Sequence, residues 1–153
     1  MPLPDHSKPL NFYMQQSNII KVAATVKAGL DKVWDNFTNP SHVSGWNFAT
    51  DDWHCPKAEN DLQQGGKFSY RMEAKNGSMG FDFEGTYNFI VPFEKIEYTV
   101  ADGRKVEVLF KKIDDNTTGV VEFFEPESTN SQELQKQGWQ AILNQFKKYT
   151  ESQ

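Results

Sequence analysis

Residues 130–150, NSQELQKQGWQAILNQFKKYT, carry the pattern that decides the fold. Apolar side chains recur there at helical spacing, and Leu134, Ala141, Ile142 and Phe146 share one face. About 20 residues make roughly 30 Å of α-helix, which is long enough to cross a whole small sheet. The segment therefore predicts one long helix that needs another apolar surface to cover its buried face.

The start and the middle of this helix each carry a signal. Asn130 is the predicted N-cap, with Glu133 three residues later as in a capping box. Gly138 lies in the middle, where a glycine costs about 1 kcal/mol relative to alanine. It shares a stripe with Leu134 and Ile142, so we expect it to face the sheet or a cavity and to leave space for a close neighbour.

A run of predicted strands precedes the helix, from Gly65 to Glu125. Apolar and polar residues alternate there, as they do in strands with one buried face. The predicted turns between these strands are Asn76-Gly77, Asp102-Gly103 and Asn116 to Gly119.

One of these strands has an apolar face made of large rings. Phe81, Phe83, Tyr87 and Phe89 alternate with polar residues, and Gly85 stands in the middle of the ring series. A glycine inside a strand indicates a bend, a bulge or the close approach of another group.

The N-terminal half predicts one strand and two short helices. Ile19 to Lys27 is rich in β-branched residues, and Leu30 to Phe37 has helical period. Asn39-Pro40 ends that helix, and Pro40 suits the first turn of a second one. The stretch from Asn47 to Gln64 has mixed signals and is expected to be partly looped.

Together these segments predict a one-domain α+β protein. A curved antiparallel sheet and a long terminal helix each have one apolar face, so the helix must lie across the sheet. This geometry leaves a groove or cavity between them. The domain is expected to span residues 19–151, and residues 1–18, with three prolines and no sustained period, are expected to form a flexible and dispensable tail.

Composition excludes several classes of partner. The 153 residues contain 16 Lys and Arg against 21 Asp and Glu, a net charge of -5, with the basic residues scattered. Nucleic acid and anionic membranes need a concentrated basic footprint, so neither is an expected partner. A single cysteine fits a reducing compartment. No apolar stretch reaches the length of a membrane helix and no signal peptide is evident, so we expect a cytoplasmic location. We also expect a monomer.

The order of strand, two short helices, curved sheet and long terminal helix resembles the helix-grip fold of the START-like (SRPBCC) superfamily. Within it, the chain resembles the AHSA-like family, named after the activator of the heat shock protein 90 ATPase. The segments that carry the resemblance are Val33-Trp34, Asn39-Pro40, Gly45-Trp46, Gly65-Gly66-Lys67-Phe68, Met72, Gly85-Thr86-Tyr87, Ile90-Val91-Pro92, Ile96-Glu97-Tyr98 and Gly138-Trp139.

The resemblance implies a fold and a choice of functions. Superfamily members hold hydrophobic small molecules, such as lipids, sterols or polycyclic products, under the long helix, and some are enzymes. The two-domain co-chaperones that name the family carry an additional domain that binds the chaperone. Because this chain has no room for that domain, we expect stimulation of the chaperone ATPase to be weak or absent.

The expected binding site is the apolar space between the helix and the sheet. Apolar pockets with a few polar anchors are typical small-molecule sites, and tyrosine and tryptophan supply both kinds of surface. The alternative for any one of these side chains is that it fills the core. The candidate ligand-binding residues are Trp46, Phe48, Trp53, Phe68, Tyr70, Met72, Phe83, Tyr87, Phe110, Gly138, Ile142 and Phe146.

No residue pattern points to catalysis, a metal or a cofactor. His54 and Cys55 are adjacent and lack a second, well-spaced pair of ligands, so ordinary loop residues explain them better than a metal site does. Asp82 and Glu84 share a strand face and could pair for acid–base work, but they alternate with phenylalanines. A solvated outer face explains both carboxylates.

Three functions therefore remain open. The preferred one is non-catalytic binding of a lipid-like or polycyclic molecule. A chaperone-associated interaction module is the alternative, with a chaperone as its partner. A small enzyme that acts on a polycyclic ligand is third. A dry apolar cavity favours the first function, an exposed apolar patch the second, and buried titratable groups that face the cavity the third.

Overall fold

In a computed structural model, residues 18–153 form one curved antiparallel sheet with three helices. The helices are α1 (Leu30–Thr38), α2 (Pro40–Val43) and α3 (Gln132–Glu151). The strands are β1 (Ile20–Val26), β2 (Trp53–Asn60), β3 (Lys67–Ala74), β4 (Gly80–Val91), β5 (Lys95–Val100), β6 (Lys105–Asp114) and β7 (Thr117–Phe124). The predicted flexible tail lies outside the described residues, except for Asn18.

The seven strands lie in the order β1-β7-β6-β5-β4-β3-β2, and all neighbours are antiparallel. The first and last strands therefore pair, and β2 forms the far edge of the sheet. Helix α3 lies across the concave face and contacts β1 and α1. This is the predicted helix-grip architecture, with the two short helices after the first strand.

The predicted break at Asn39-Pro40 and the first two predicted hairpin turns are confirmed. Pro40 begins α2, and the side chain of Asn39 accepts a hydrogen bond from the backbone N–H of Ser41 at 3.1 Å. Gly77 and Gly103 have positive φ angles of 76° and 95° at the predicted hairpin turns. A positive φ is the conformation that glycine tolerates best.

Four details of the prediction are wrong. The N-cap of α3 is Ser131, whose hydroxyl accepts the backbone N–H of Leu134 at 3.1 Å, so the helix begins one residue later than an Asn130 cap implies. The third turn is shorter than predicted, because β7 already begins at Thr117. The stretch expected to be partly looped has loops at residues 47–52 and 61–66, but between them it contains an unpredicted strand, β2, an edge strand with a register shift between His54 and Lys57.

The fourth correction concerns the ring series of β4. A register shift between Tyr87 and Phe89 adds a bulge, which reverses the alternation of inward and outward side chains. Phe89 is consequently exposed on the outer face, where the ammonium of Lys95 lies 5.8 Å from its ring centroid. Ile90 takes the inward position and packs against the core.

Gly85 confirms the expected close approach. A Cβ at this position would collide with the backbone oxygen of Thr99 and lie 2.9 Å from the ring of Phe68. The missing side chain therefore gives Phe68 space to lie flat against β4, on the concave face of the sheet.

An aromatic cluster fills the space under the C-terminal half of α3. Phe146 is fully buried, with its ring centroid 5.2 Å from that of Phe37 and 5.0 Å from that of Trp46. Phe37 in turn packs edge-on against Phe110 at 5.2 Å, and Trp34 lies on the other side of Phe110 at 5.0 Å. These five rings close this end of the domain and join α1, β6 and α3 into one core.

The same end of α3 is tied to α2 by a polar contact. The hydroxyl of Tyr149 lies 2.7 Å from Nδ1 of His42, and Nε2 of the same ring is 3.4 Å from a carboxylate oxygen of Asp35. The ring of Tyr149 lies so close to Gly45 that a Cβ at Gly45 would overlap it. This end of the helix is thus held on both its apolar and its polar side.

Candidate functional site

A cavity of about 290 Å³ lies at the other end of α3, between its N-terminal half and the concave face of the sheet. Most of its wall is apolar and comes from β3, β4, β5, α3 and the segment around α1 and α2. The apolar lining residues are Phe37, Trp46, Phe68, Met72, Phe81, Phe83, Ile96, Trp139 and Ile142.

Trp139 forms the part of the wall contributed by α3. Its indole stacks on the ring of Phe124 at a centroid distance of 4.0 Å and an interplanar angle of 13°. The ring of Phe83 is nearly perpendicular to the indole, with a centroid distance of 6.1 Å and an interplanar angle of 80°. The indole is therefore positioned by packing on two strands and presents its remaining surface to the cavity.

Most of the predicted ligand-binding residues line this cavity. They are Trp46, Phe68, Tyr70, Met72, Phe83, Tyr87 and Ile142. Phe110 and Phe146 do not line it, because both lie behind Phe37, which packs edge-on against each of them at a ring-centroid distance of 5.2 Å and itself lines the cavity.

Phe48, Trp53 and Gly138 also lie outside the lining. Phe48 is half-buried in the segment before β2, and the ring of Trp53 packs 6.0 Å from that of Phe81. Gly138 is half-buried, and a Cβ there would meet no atom within 4 Å. The close neighbour expected at Gly138 is therefore not present, and Leu134 on the same stripe is 56% exposed.

The prediction missed a carboxyl group at the cavity. Glu122 lies on β7 between the inward-facing residues Val120 and Phe124, lines the cavity, and is only 8% exposed. Burial disfavours the charged form and raises the pKa of Glu122 from 4.5 to about 8. The alternation of side chains along a strand predicts that Glu122 faces inward, since residue 122 falls on the same strand face as Val120 and Phe124.

Tyr98 faces the same cavity from β5 and is also deeply buried. Burial, followed by the nearby carboxyl of Glu122, raises the pKa of the Tyr98 hydroxyl well above its usual value, and the Arg104 guanidinium opposes this shift. Arg104 lines the cavity too, with its Nε 2.8 Å from a carboxylate oxygen of Asp102.

A second cluster of polar side chains lies on the side of the cavity formed by β3 and β4. The hydroxyls of Tyr70 and Tyr87 are 3.4 Å apart, and the amide nitrogen of Asn60 donates to the Tyr70 oxygen at 3.3 Å. The same nitrogen donates to the backbone carbonyl of Thr38 at 2.6 Å. Burial raises the pKa of both tyrosines, so both remain neutral at physiological pH. These hydroxyls are satisfied within the protein.

The segment between β7 and α3 forms one rim of the cavity. The side-chain amide of Gln135 donates to the carbonyls of Glu127 and Asn130 at 3.0 and 2.8 Å and accepts the backbone N–H of Glu127 at 2.9 Å. The carboxylate of Glu127 accepts the backbone N–H groups of Thr129 and Asn130, both at 2.7 Å. All three of Glu127, Asn130 and Gln135 line the cavity, so the rim is held by hydrogen bonds.

The residues considered above as candidates for a metal site or for acid–base chemistry lie outside the cavity lining. Cys55 is buried on β2, where burial raises the pKa of its thiol. His54 lies 3.7 Å from the carboxylate of Glu73. Asp82 and Glu84 are exposed on the outer face of β4, where Asp82 pairs with Arg71 at 3.4 Å. Neither carboxylate reaches the cavity lining.

No three His, Cys, Asp or Glu side chains among residues 18–153 come together as a metal site would require. None of the described helices combines the length and the apolar character needed to cross a bilayer.

The sequence matches a family model over residues 27–151. The family is described as activator of Hsp90 ATPase homolog 1-like protein. The chain belongs to this family. No curated protein matches the chain.

Several solved structures are similar to this chain over nearly the whole domain. A protein from Cytophaga hutchinsonii is 51% identical, with 89% of this chain and 94% of that chain covered and a TM-score of 0.76. The AHSA1-like protein from Aeromonas hydrophila is 35% identical, with 87% and 93% covered and a TM-score of 0.79. A protein from Chromobacterium violaceum is 22% identical at a TM-score of 0.77 and shares the fold. The family match and the fold are those of a ligand-binding or co-chaperone-like module.

Proposed function

We propose that this protein binds an apolar small molecule, lipid-like or polycyclic, in the cavity under the N-terminal half of α3. The observation that carries the proposal is a cavity of about 290 Å³ whose wall is mainly aromatic and aliphatic. Typical small-molecule pockets span roughly 300–1,000 Å³ and have an apolar lining with a few polar groups. An engineered apolar cavity of about 150 Å³ already holds a benzene molecule. A molecule with two or three fused rings therefore matches this volume.

A cavity-filling substitution tests the proposal. Ile142 lies in the cavity wall on α3, so a phenylalanine there occupies space that a ligand would use. The matched control is Ile113→Phe, because Ile113 is exposed on β6 and remote from the cavity lining. The fluorescent probe N-phenyl-1-naphthylamine is titrated into all three proteins.

We expect Ile142→Phe to weaken probe binding by about tenfold, since about 1.4 kcal/mol of lost apolar contact has that effect. Ile113→Phe should bind as the unmodified protein does. Absence of saturable binding to the unmodified protein would contradict the proposal. So would equal affinities of the two variants.

A chaperone-associated role is the second candidate, and the family match favours it. The assay is the ATPase rate of the cognate chaperone with and without added protein. Stimulation that survives Ile142→Phe would assign the activity to a surface rather than to the cavity. If Ile142→Phe abolishes the stimulation, the cavity is required for the effect on the chaperone, and the two candidate functions depend on the same site.

Catalysis on a bound ligand is the third candidate, and the buried carboxyl of Glu122 favours it. A group with a pKa near the working pH can pass a proton to and from a ligand. The reaction accessible to one such carboxyl is exchange of a proton on the carbon next to a carbonyl. Deuterium uptake by 1-tetralone in heavy water, compared between the protein and Glu122→Gln, measures this reaction. Equal uptake by the two proteins would exclude Glu122 as the catalyst.

A further inference from the structure

Two buried polar groups that face the cavity have no hydrogen-bonding partner among residues 18–153. One is the carboxyl of Glu122, which is 8% exposed, and the other is the hydroxyl of Tyr98, which is 9% exposed. An unsatisfied polar group in an apolar setting costs about 1–3 kcal/mol. The Tyr70 and Tyr87 hydroxyls, in contrast, bond to each other and to Asn60. The two unpaired groups are therefore an exception within this cavity.

The register of the sheet brings these two groups to the same region. Tyr98 on β5 is opposite Val106 on β6, and Glu122 on β7 is opposite Val108 on the same strand. Both side chains project from the concave face, on either side of β6. Because the face is concave, side chains from strands that flank β6 converge toward the cavity.

We propose that the ligand is an uncharged apolar molecule with one carbonyl or hydroxyl oxygen, and that this oxygen bonds to the Glu122 carboxyl and the Tyr98 hydroxyl. This proposal rests on the proposed binding function and specifies its ligand class. The apolar body of the molecule lies against Phe83, Trp139 and Ile142. Two convergent donors suit a carbonyl oxygen, and a neutral carboxyl also accepts from a hydroxyl.

The charge state of the site favours a neutral ligand. Burial raises the pKa of Glu122 to about 8, so its carboxyl is mostly protonated at pH 7 and can donate. The ionisable groups that face it are Tyr98 on β5, Tyr70 and Tyr87 on β3 and β4, Arg104 before β6, and Glu127 at the rim. No ionisable side chain of α1 or α3 lines the described cavity. A cationic ligand would require a charged Glu122 in a buried setting, which desolvation disfavours.

Three probes with the same fused-ring skeleton test the proposal. Fluorene carries no polar group, 9-fluorenone carries one carbonyl oxygen, and 9-aminofluorene carries a basic amine. Their affinities are measured at pH 7 by quenching of tryptophan fluorescence, in the unmodified protein, Glu122→Leu, Glu122→Gln and Tyr98→Phe. We expect 9-fluorenone to bind the unmodified protein about tenfold more tightly than fluorene, the effect of one to two buried hydrogen bonds.

The variants separate the contribution of each group. Glu122→Leu keeps only the Tyr98 donor, so it should lose part of the preference for the ketone while binding fluorene at least as tightly. Glu122→Gln can still donate, so it should keep most of the preference. Tyr98→Phe should show an intermediate preference. In the unmodified protein the preference should fall as pH rises above about 8, because the ionised carboxylate repels a carbonyl oxygen, and this pH dependence should disappear in Glu122→Gln.

Each other outcome has a distinct meaning. If no probe binds, both the cavity function and this proposal fail. If fluorene and 9-fluorenone bind equally, or if Glu122→Leu keeps the full preference for the ketone, the cavity binds ligands but this proposal is overturned. If 9-aminofluorene binds more tightly than the ketone, Glu122 acts as an anion and the neutral ligand class is wrong.

Discussion

The two ends of the space under α3 differ, although both are rich in aromatic rings. At the C-terminal end, Phe146 interlocks with Phe37 and Trp46 at centroid distances near 5 Å, and Leu143 is fully enclosed. At the N-terminal end, Trp139 stacks on Phe124 and a cavity of about 290 Å³ remains beside it. We call these the filled end and the open end.

The difference arises from the residues that face each end rather than from a shortage of rings. Over the filled end, α3 presents Leu143, Phe146 and Thr150. Over the open end, α3 presents Gln135, whose amide serves the rim, together with the half-buried Trp139 and Ile142. Strand β7 contributes a carboxyl there in place of an apolar side chain. The filled end thus supports the fold, and the open end keeps the space that we propose as the binding site.

The largest effect on stability should come from the filled end. Phe146→Ala removes a fully buried ring between two others and should lower the unfolding free energy by about 3–5 kcal/mol. Leu134→Ala is the control on the same helix, since Leu134 is 56% exposed and its loss should cost within about 0.5 kcal/mol. Urea unfolding gives both values. Similar losses in the two variants would show that the ends of α3 do not differ as described.

The open end should make stability depend on pH. Folding raises the pKa of Glu122 from 4.5 to about 8. The stabilisation that protonated Glu122 gives to the folded state is therefore fully present below about pH 4.5 and is lost as pH rises to about 8. At about 1.4 kcal/mol per pH unit, the expected loss between pH 5 and pH 8 is about 4 kcal/mol. Urea unfolding across this pH range measures the slope.

Two variants isolate the source of that slope. Glu122→Gln cannot ionise, so its unfolding free energy should vary less with pH than that of the unmodified protein. Glu84→Gln removes an exposed carboxylate from the outer face and should leave the slope unchanged. If Glu122→Gln and the unmodified protein lose stability in parallel, Glu122 is not the buried acid that defines the open end.

A smaller loss is expected at the wall of the open end. Gly85→Ala places a methyl group against the backbone of Thr99 and the ring of Phe68, an overpacking that costs about 1–3 kcal/mol. Gly119→Ala is the matched strand control, because its nearest neighbour would be 3.7 Å away. Thermal unfolding compares them. If Gly85→Ala does not change thermal stability, the ring of Phe68 can shift, and the cavity wall is not rigid at this point.

The smallest effect is a gain. Gly138→Ala meets no atom within 4 Å, so it should add up to about 1 kcal/mol of helix stability. Because Gly138 lies outside the cavity lining, probe affinity should stay unchanged. Unfolding and probe titration on one preparation report both quantities. A loss of stability would reveal a neighbour that this geometry lacks.

The sequence could predict the elements of the fold because their signals are local. The period of residues 130–150, the Asn39-Pro40 break and the Asn-Gly and Asp-Gly turns each depend on a few adjacent residues. Strand β2 gives no clear local signal, because Pro56 lies within it, and a proline argues against a strand unless that strand is at an edge. Edge position is a property of the whole sheet, which no local pattern carries.

The site could be predicted only in part for a similar reason. Phe110 and Phe83 alternate in the same way along their strands, yet one packs at the filled end and the other lines the cavity. Which end a side chain reaches depends on strand order and on the position of α3. The bulge after Tyr87, which turns Phe89 outward, is likewise invisible in the alternation. Glu122, in contrast, could have been found, since it interrupts an apolar strand face.

The most direct test of the open end is to locate a bound ligand by NMR. Fluorene is added to protein labelled with ¹³C at its methyl groups, and intermolecular nuclear Overhauser effects are recorded. Our account predicts contacts to the methyl groups of Ile142, Met72 and Ile96, which line the cavity, and none to Leu143 at the filled end. Contacts confined to exposed methyl groups such as Ile113, or no contacts at saturating fluorene, would contradict the claim that the open end is a binding site.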